Sequence, residues 1–193
     1  MRKLPKPSRS PWKTLSRKVK YDNRWIRVTE AQVINPGRQK GIYGTVHFKN
    51  RAIGIIPIEP NGDTYLVGQY RYALSEYSWE IPEGGGAIGV PPLKTAKREL
   101  LEETGLKARR YQEILRMHLS NSVCDELAII YLAFGLTQWE PEPEEDELLD
   151  IRRVPLKAAY EMAIRGEITD SMSVAGLLRA YEIVRGKGRR ALR

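Results

Sequence analysis

The chain has 193 residues, 41% hydrophobic and 29% charged, which is enough for one full core and ordinary for a soluble globular protein. No run approaches the roughly 20 apolar residues that a membrane-spanning helix needs, and the single cysteine, Cys124, excludes an intramolecular disulfide. The net charge of +8 sits at the ends: residues 1–20 carry eight Lys/Arg and residues 183–193 carry five, with no acid in either stretch. Residues 21–182 therefore hold the other 19 basic groups against 24 acidic ones, a balance of −5. A mildly acidic body with basic ends argues for solvated tails, and without a recognisable binding motif no specific nucleic-acid role is expected. The basic N-terminus has no following apolar region of the secretory kind, and one cysteine used as a small hydrophobe fits a reducing compartment, so a cytoplasmic location is expected.

In chain order, residues 1–13 read as a disordered basic arm, residues 14–50 as a small β-region, residues 51–185 as the main domain and residues 186–193 as a basic tail. Within the β-region, SRKVKYDN, RWIRVTEAQVIN and GIYGTVHFK alternate apolar and polar residues, as half-buried antiparallel strands do. Turns are expected at Asp22-Asn23 and Asn35-Pro36-Gly37. AIGIIPI (52–58) is apolar throughout and suits a strand buried on both faces. Asn61-Gly62 is a hairpin signal, with TYLVGQYRY expected as the partner strand. That strand carries Arg71, a forked donor for a pyrophosphate oxygen or else a plain surface arginine.

The richest stretch is Trp79 to Leu106, WEIPEGGGAIGVPPLKTAKRELLEETGL. It predicts a strand end at Trp79 to Pro82, a glycine loop through Gly84, Gly85, Gly86 and Gly89, and a helix. The helix opens at Pro91-Pro92, where a missing N–H is harmless, and closes at Gly105, which tolerates the left-handed conformation. Leu93, Ala96 and Leu100 would form its buried stripe. Glu99, Glu102 and Glu103 fall on neighbouring positions beside Arg98. Carboxylates so close repel unless a cation lies between them, and a hard divalent cation, Mg²⁺ or Mn²⁺, fits. A Glu-rich helix taken alone is as readily a solvated face.

Further on, YQEILRMHLS and ELAIIYLAFGL read as strands joined by Ser120–Glu126, a loop whose small polar residues either line a sugar or phosphate or merely turn the chain. An acidic loop holding Glu142, Glu144, Glu145, Asp146 and Glu147 precedes a short strand at 148–154. Helices are expected from Pro155 to Gly166 and over SMSVAGLLRAYEIVRG, the latter capped by Thr169 or Asp170.

The order strand, glycine loop, carboxylate helix resembles the Nudix hydrolase signature. Gly84, Arg98, Glu99, Leu100, Glu102, Glu103, Gly105 and Leu106 stand at its spacing, and Val90 stands where the signature has its first Glu. The Gln69-Tyr70-Arg71 strand, the N-terminal β-region and GEITDSMSVAGLL resemble the ADP-ribose pyrophosphatase, or nucleoside diphosphate sugar hydrolase, branch. The resemblance covers about residues 15–185 and implies an α/β fold, an α/β/α sandwich around a mixed sheet with a small N-terminal antiparallel β-region. It implies metal-dependent hydrolysis of a nucleoside diphosphate sugar by a homodimer. Glu99 and Glu103 would be the chief metal ligands, with Glu102 assisting and the backbone carbonyl of Glu83 as a further ligand. Glu145, or else Glu147, would activate water, and Arg98 would complete the catalytic set. Arg71, Glu80, Tyr43 and Trp25 would meet substrate, with Tyr70 as another residue able to stack on a base. Because Val90 cannot anchor Arg98, Glu80 or Glu83 is expected to do so. A weakened Nudix module that binds a nucleotide sugar is the alternative, and an RNA-directed hydrolase using the basic tails is a third.

Overall fold

Alternating apolar residues from Lys13 onward build a three-stranded antiparallel sheet, β1 (Lys13–Asp22), β2 (Ile26–Ile34) and β3 (Lys40–Phe48), in that order. The computed structural model describes residues 9–140 and 148–187. Most of the basic arm, most of the basic tail and the acidic loop with Glu145 and Glu147 lie outside the described residues. The two expected turns form around asparagines. The Asn23 side chain accepts the N–H groups of Trp25 and Ile26 at 2.9 and 2.8 Å, and Asn35 accepts that of Gln39 at 2.9 Å.

Contacts divide the described residues into two units. One holds everything up to Lys49 together with Ser120–Asp125, and the other holds Asn50–Leu119 with everything from Glu126. The Ser120–Asp125 turn belongs to the first unit through specific bonds. Val46 pairs with Cys124 in parallel, and the Asp125 carboxylate accepts the Phe48 N–H at 3.0 Å while meeting His47 Nδ1 at 2.5 Å.

The second unit contains β4 (Asn50–Ile58), β5 (Asp63–Arg71), β6 (Glu76–Glu80), β7 (Glu83–Ala87), α1 (Pro92–Thr104), β8 (Leu106–His118), β9 (Leu127–Gln138), β10 (Asp150–Pro155), α2 (Leu156–Ile164) and α3 (Ser171–Lys187). One sheet runs β7-β4-β9-β8 with β4 and β9 parallel, and the other runs β10-β5-β6. Strand side chains alternate in direction, and β4 uses both sides. Ile53 and Ile55 pack with Ala96 and Leu100 of α1, whereas Ile56 and Ile58 pack with Leu156 of α2 and Met172, Leu177 and Ala180 of α3. The unit is thus the expected α/β/α sandwich around a mixed sheet.

Three expectations are corrected. The Asn61-Gly62 turn is present, with Gly62 at φ 95°, but β5 does not pair with β4. Both edges of β4 are taken by β7 and β9, so β5 joins β6 and β10 instead. The glycine loop is largely a strand: Gly84, Gly85 and Gly86 pair with Ile53, Ala52 and Arg51, and only Gly89, at φ 100°, serves a turn. The buried stripe of α1 omits Leu93, which is 38% exposed, and buries Thr95, Glu99 and Glu103 beside Ala96 and Leu100. Of the two cap candidates, Asp170 is the one used, accepting the Ser173 N–H at 2.7 Å.

Leu100 and Leu93 therefore differ in what they hold. Leu100→Ala empties a fully buried site and is expected to cost about 2–5 kcal/mol, whereas Leu93→Ala is expected to stay within about 0.5 kcal/mol. Urea denaturation of the two variants measures the difference.

Candidate active site

Helix α1 presents Glu99 and Glu103 inward, 6% and 2% exposed. Inward carboxylates are tolerable only beside partners that compensate them, and strand β7 supplies part of the answer. The Glu103 carboxylate accepts the backbone N–H of Glu83 at 2.9 Å. Glu99 lies so near the backbone of Gly84 that a Cβ there would stand 2.3 Å from its carboxylate, and a Cβ on Gly86 would stand 2.9 Å from Thr95 Oγ1. Glycine at 84 thus sets how close helix and strand come.

Arg98 supplies charge. Its guanidinium bonds the carboxylates of Glu99 and Glu102 and donates to the Gly85 carbonyl at 3.1 Å. The expected anchors, Glu80 and Glu83, are engaged elsewhere. Glu80, 2% exposed, receives Arg71 in a forked pair, with Arg71 Nε 2.9 and 3.0 Å from its two oxygens. Glu83 receives the same guanidinium at 3.3 Å. The alternation of β5 and β6 explains the first pairing, since Arg71 and Glu80 project from one face of that ladder. Hydrogen bonds donated to Glu80 hold the Arg71 guanidinium still more firmly protonated.

Glu83 is crowded by like charge. Burial, then the charges of Asp170, Glu80 and Glu103, push its carboxyl well above the usual range against the pull of Arg71. Its Oε2 is buried without a hydrogen-bond partner. Asp170, considered from sequence only as a helix cap, thus also acts on Arg71 and Glu83. No local sequence signal marks that role, because it arises from where α3 begins.

Among the described residues, no three His, Cys, Asp or Glu side chains are gathered around a single point as metal ligands would be. The arrangement itself gives the reason: Arg98 lies across Glu99 and Glu102, and Glu103 holds a backbone N–H. The donor set nevertheless fits a hard divalent cation. Every donor is oxygen, and Glu83 Oε2 is an orphaned buried acceptor in a field of like charge.

Tyr70 points away from Arg71 on β5 and is 64% exposed. Tyr43 and Trp25 belong to the N-terminal unit. Tyr43 donates to the Ser122 carbonyl at 2.6 Å, stacks edge-on against Trp12, and lines a cavity of about 410 Å³ with Arg17, Arg27, Thr45, His47 and Asp125. The Ser120–Glu126 loop is thus both a turn and, through Asn121 to Asp125, part of that lining. Trp25 sits at the turn between β1 and β2, 53% exposed, with Arg24 stacked 4.0 Å from its ring.

The sequence matches the NUDIX domain family over residues 48–172 and the nucleoside diphosphate sugar hydrolase N-terminal domain family over residues 12–46. It is 34% identical over 138 residues to an ADP-ribose pyrophosphatase of Mycobacterium tuberculosis, covering 70% of this chain and 67% of that protein. It is 32% identical over 122 residues to an ADP-ribose pyrophosphatase of Bacillus subtilis, covering 62% of this chain and 66% of the relative. The fold is similar to the crystal structure of an ADP compounds hydrolase, with a TM-score of 0.84, 21% identity, and coverage of 95% of this chain and all of the other.

The strain at Glu83 has a measurable sign. A carboxyl whose folded pKa is raised favours the fold below its unfolded value, near 4.5, and loses that contribution as pH rises through the folded value. Glu83→Gln is therefore expected to raise the melting temperature of chelator-treated protein at neutral pH. The gain should shrink as pH falls toward 4.5, as differential scanning fluorimetry across pH would read.

Proposed function

The chain belongs to the Nudix hydrolase family, and from that premise we propose that it hydrolyses the pyrophosphate bond of ADP-ribose or a related nucleoside diphosphate sugar. The products would be a nucleoside monophosphate and a sugar phosphate. The observation that carries this reading is the seating of buried Glu99 and Glu103 against the glycine strand β7, beside the orphaned oxygen of Glu83. The names of the two bacterial relatives support the choice of substrate.

Glu99 and Glu103, with Glu102 and Glu83, would hold Mg²⁺ or Mn²⁺, which when bound neutralises diphosphate charge and makes water more acidic. The protein's own groups do the rest. Glu80 pins the Arg71 guanidinium in one orientation before substrate arrives, so that a planar, charged donor can receive a phosphate oxygen without reorganising. Arg98 orients Glu99 and Glu102. Glu145 is assigned to take the proton of the attacking water, with Glu147 as the alternate. Tyr43 is preferred over Trp25 and Tyr70 for stacking a base, because it lines a cavity together with Arg17, Arg27 and Thr45. The protein is assigned to the cytoplasm as a homodimer acting on a small nucleotide sugar, with no nucleic-acid partner.

A phosphatase-coupled assay with Mg²⁺ across ADP-ribose, other nucleotide sugars, dinucleotides and triphosphates tests the proposal. ADP-ribose or another diphosphate sugar is expected to turn over fastest, and Glu103→Gln to lower kcat roughly 100-fold or more. Faster cleavage of triphosphates would refute the substrate class. Silence on every substrate, with a nucleotide sugar still bound, would instead mark a weakened module in which Val90 replaces a needed acid.

A further inference from the structure

We propose that Arg98 is a built-in counter-cation that competes with the divalent metal for Glu99. The proposal rests on the metal reading of α1 given above. One guanidinium engages three oxygen-bearing groups at once: the Glu99 carboxylate, the Glu102 carboxylate and the Gly85 carbonyl, the last at 3.1 Å. Two carboxylates and a backbone carbonyl are also what a hard divalent cation accepts as ligands.

The burial of the partners is unequal, and this makes exchange feasible. The Glu99 side chain is 8% exposed and needs a cation wherever the metal is absent, whereas the Arg98 side chain is 41% exposed. A half-exposed arginine on the surface of α1 can turn its head into water while its stem stays on the helix. The Glu99 carboxylate, by contrast, is buried and packed against the backbone of Gly84, so it has far less room to reach water. Arg98 therefore keeps the acidic helix stable without metal and raises the metal concentration needed to load the site.

Two consequences separate this role from simple orientation of Glu99. If Arg98 competes, removing its charge should tighten metal binding and weaken the metal-free protein. If Arg98 only orients Glu99, removing it should loosen metal binding. Arg98→Lys retains the charge but not the fork, and a single ammonium does not match a carboxylate bidentately. Its behaviour should fall between wild type and Arg98→Gln.

The experiment is a Mn²⁺ titration of the full-length, chelator-stripped protein, with free Mn²⁺ read by electron paramagnetic resonance. Wild type, Arg98→Gln, Arg98→Lys and Glu103→Gln are compared at low and high KCl, and melting temperatures are taken with and without Mn²⁺. Arg98→Gln is expected to bind Mn²⁺ about tenfold more tightly than wild type at low salt, a gap that narrows as salt screens the exposed guanidinium. Its metal-free melting temperature is expected to fall and its rise on adding Mn²⁺ to exceed that of wild type. An Arg98→Gln protein that folds only with Mn²⁺ present would also support the proposal, and Arg98→Lys would then carry the titration. Equal or weaker Mn²⁺ binding by Arg98→Gln, with binding lost in Glu103→Gln, overturns the counter-cation role and leaves the metal site standing. No Mn²⁺ binding by any of the four proteins removes the site and the proposal together.

Discussion

Like charges held in a small, partly dry volume must be compensated, and in the second unit two arginines do most of this. Arg71 faces Glu80 and Glu83, with Asp170 within electrostatic reach, and Arg98 faces Glu99 and Glu102. A buried ion pair stabilises little in net terms, but stripping one partner from it is costly because the other charge is left stranded. The side chains that would perform hydrolysis are therefore also those that hold the ends of β6, β7 and α1 in register. Glu83 is where the compensation is incomplete, with one oxygen orphaned and its proton held unusually tightly. Buried polar atoms without a partner are few in folded proteins, and this one lies among the acidic groups of the site.

The scaffold makes that crowding possible. Strand β4 is apolar on both faces and pairs on both edges, so it serves as a rigid floor for α1 on one side and for α2 and α3 on the other. On this floor three of the five residues of β7 are glycine, and the missing Cβ at Gly84 lets the helix bring Glu99 against the strand backbone. On the far side, the start of α3 is held by Ser173, whose hydroxyl accepts the buried Ile81 N–H at 2.9 Å, and by the Asp170 cap. The short connection from β6 to β7 is thus gripped by α3, while β7 itself packs against α1. Few elements could move here without disturbing the acidic groups.

Separately, the N-terminal unit is a small, largely exposed sheet reinforced by the Ser120–Asp125 turn. The His47–Asp125 pair, the Asp125 bond to Phe48 and the Lys49 bonds to Asp22 and Asn23 tie its ends together. Its surface carries concave regions lined by Tyr43 and its basic and hydroxyl neighbours.

Much of this protein could be read from its residues in order. Proline at the opening of α1 and glycine at its close mark the helix by local backbone chemistry, and the i, i+3, i+4 spacing of Glu99, Glu102 and Glu103 places them together on any helix. The apolar run of β4 and the alternation of β2 and β3 are likewise local patterns, whereas β1, expected to be half-buried, is exposed along its whole length. Three features were decided by tertiary contact alone. Gly84 to Gly86 form a strand because β4 had a free edge beside them, and β5 left β4 because that edge and the other were taken. Leu93 is exposed while two glutamates are buried, because the helix turns its acidic side toward β7, not toward solvent. The partners of Arg71 and Arg98, and the part played by Asp170, depend on which long side chains meet across elements distant in the chain. Sequence spacing determines what shares one face of one element; only packing determines what that face meets.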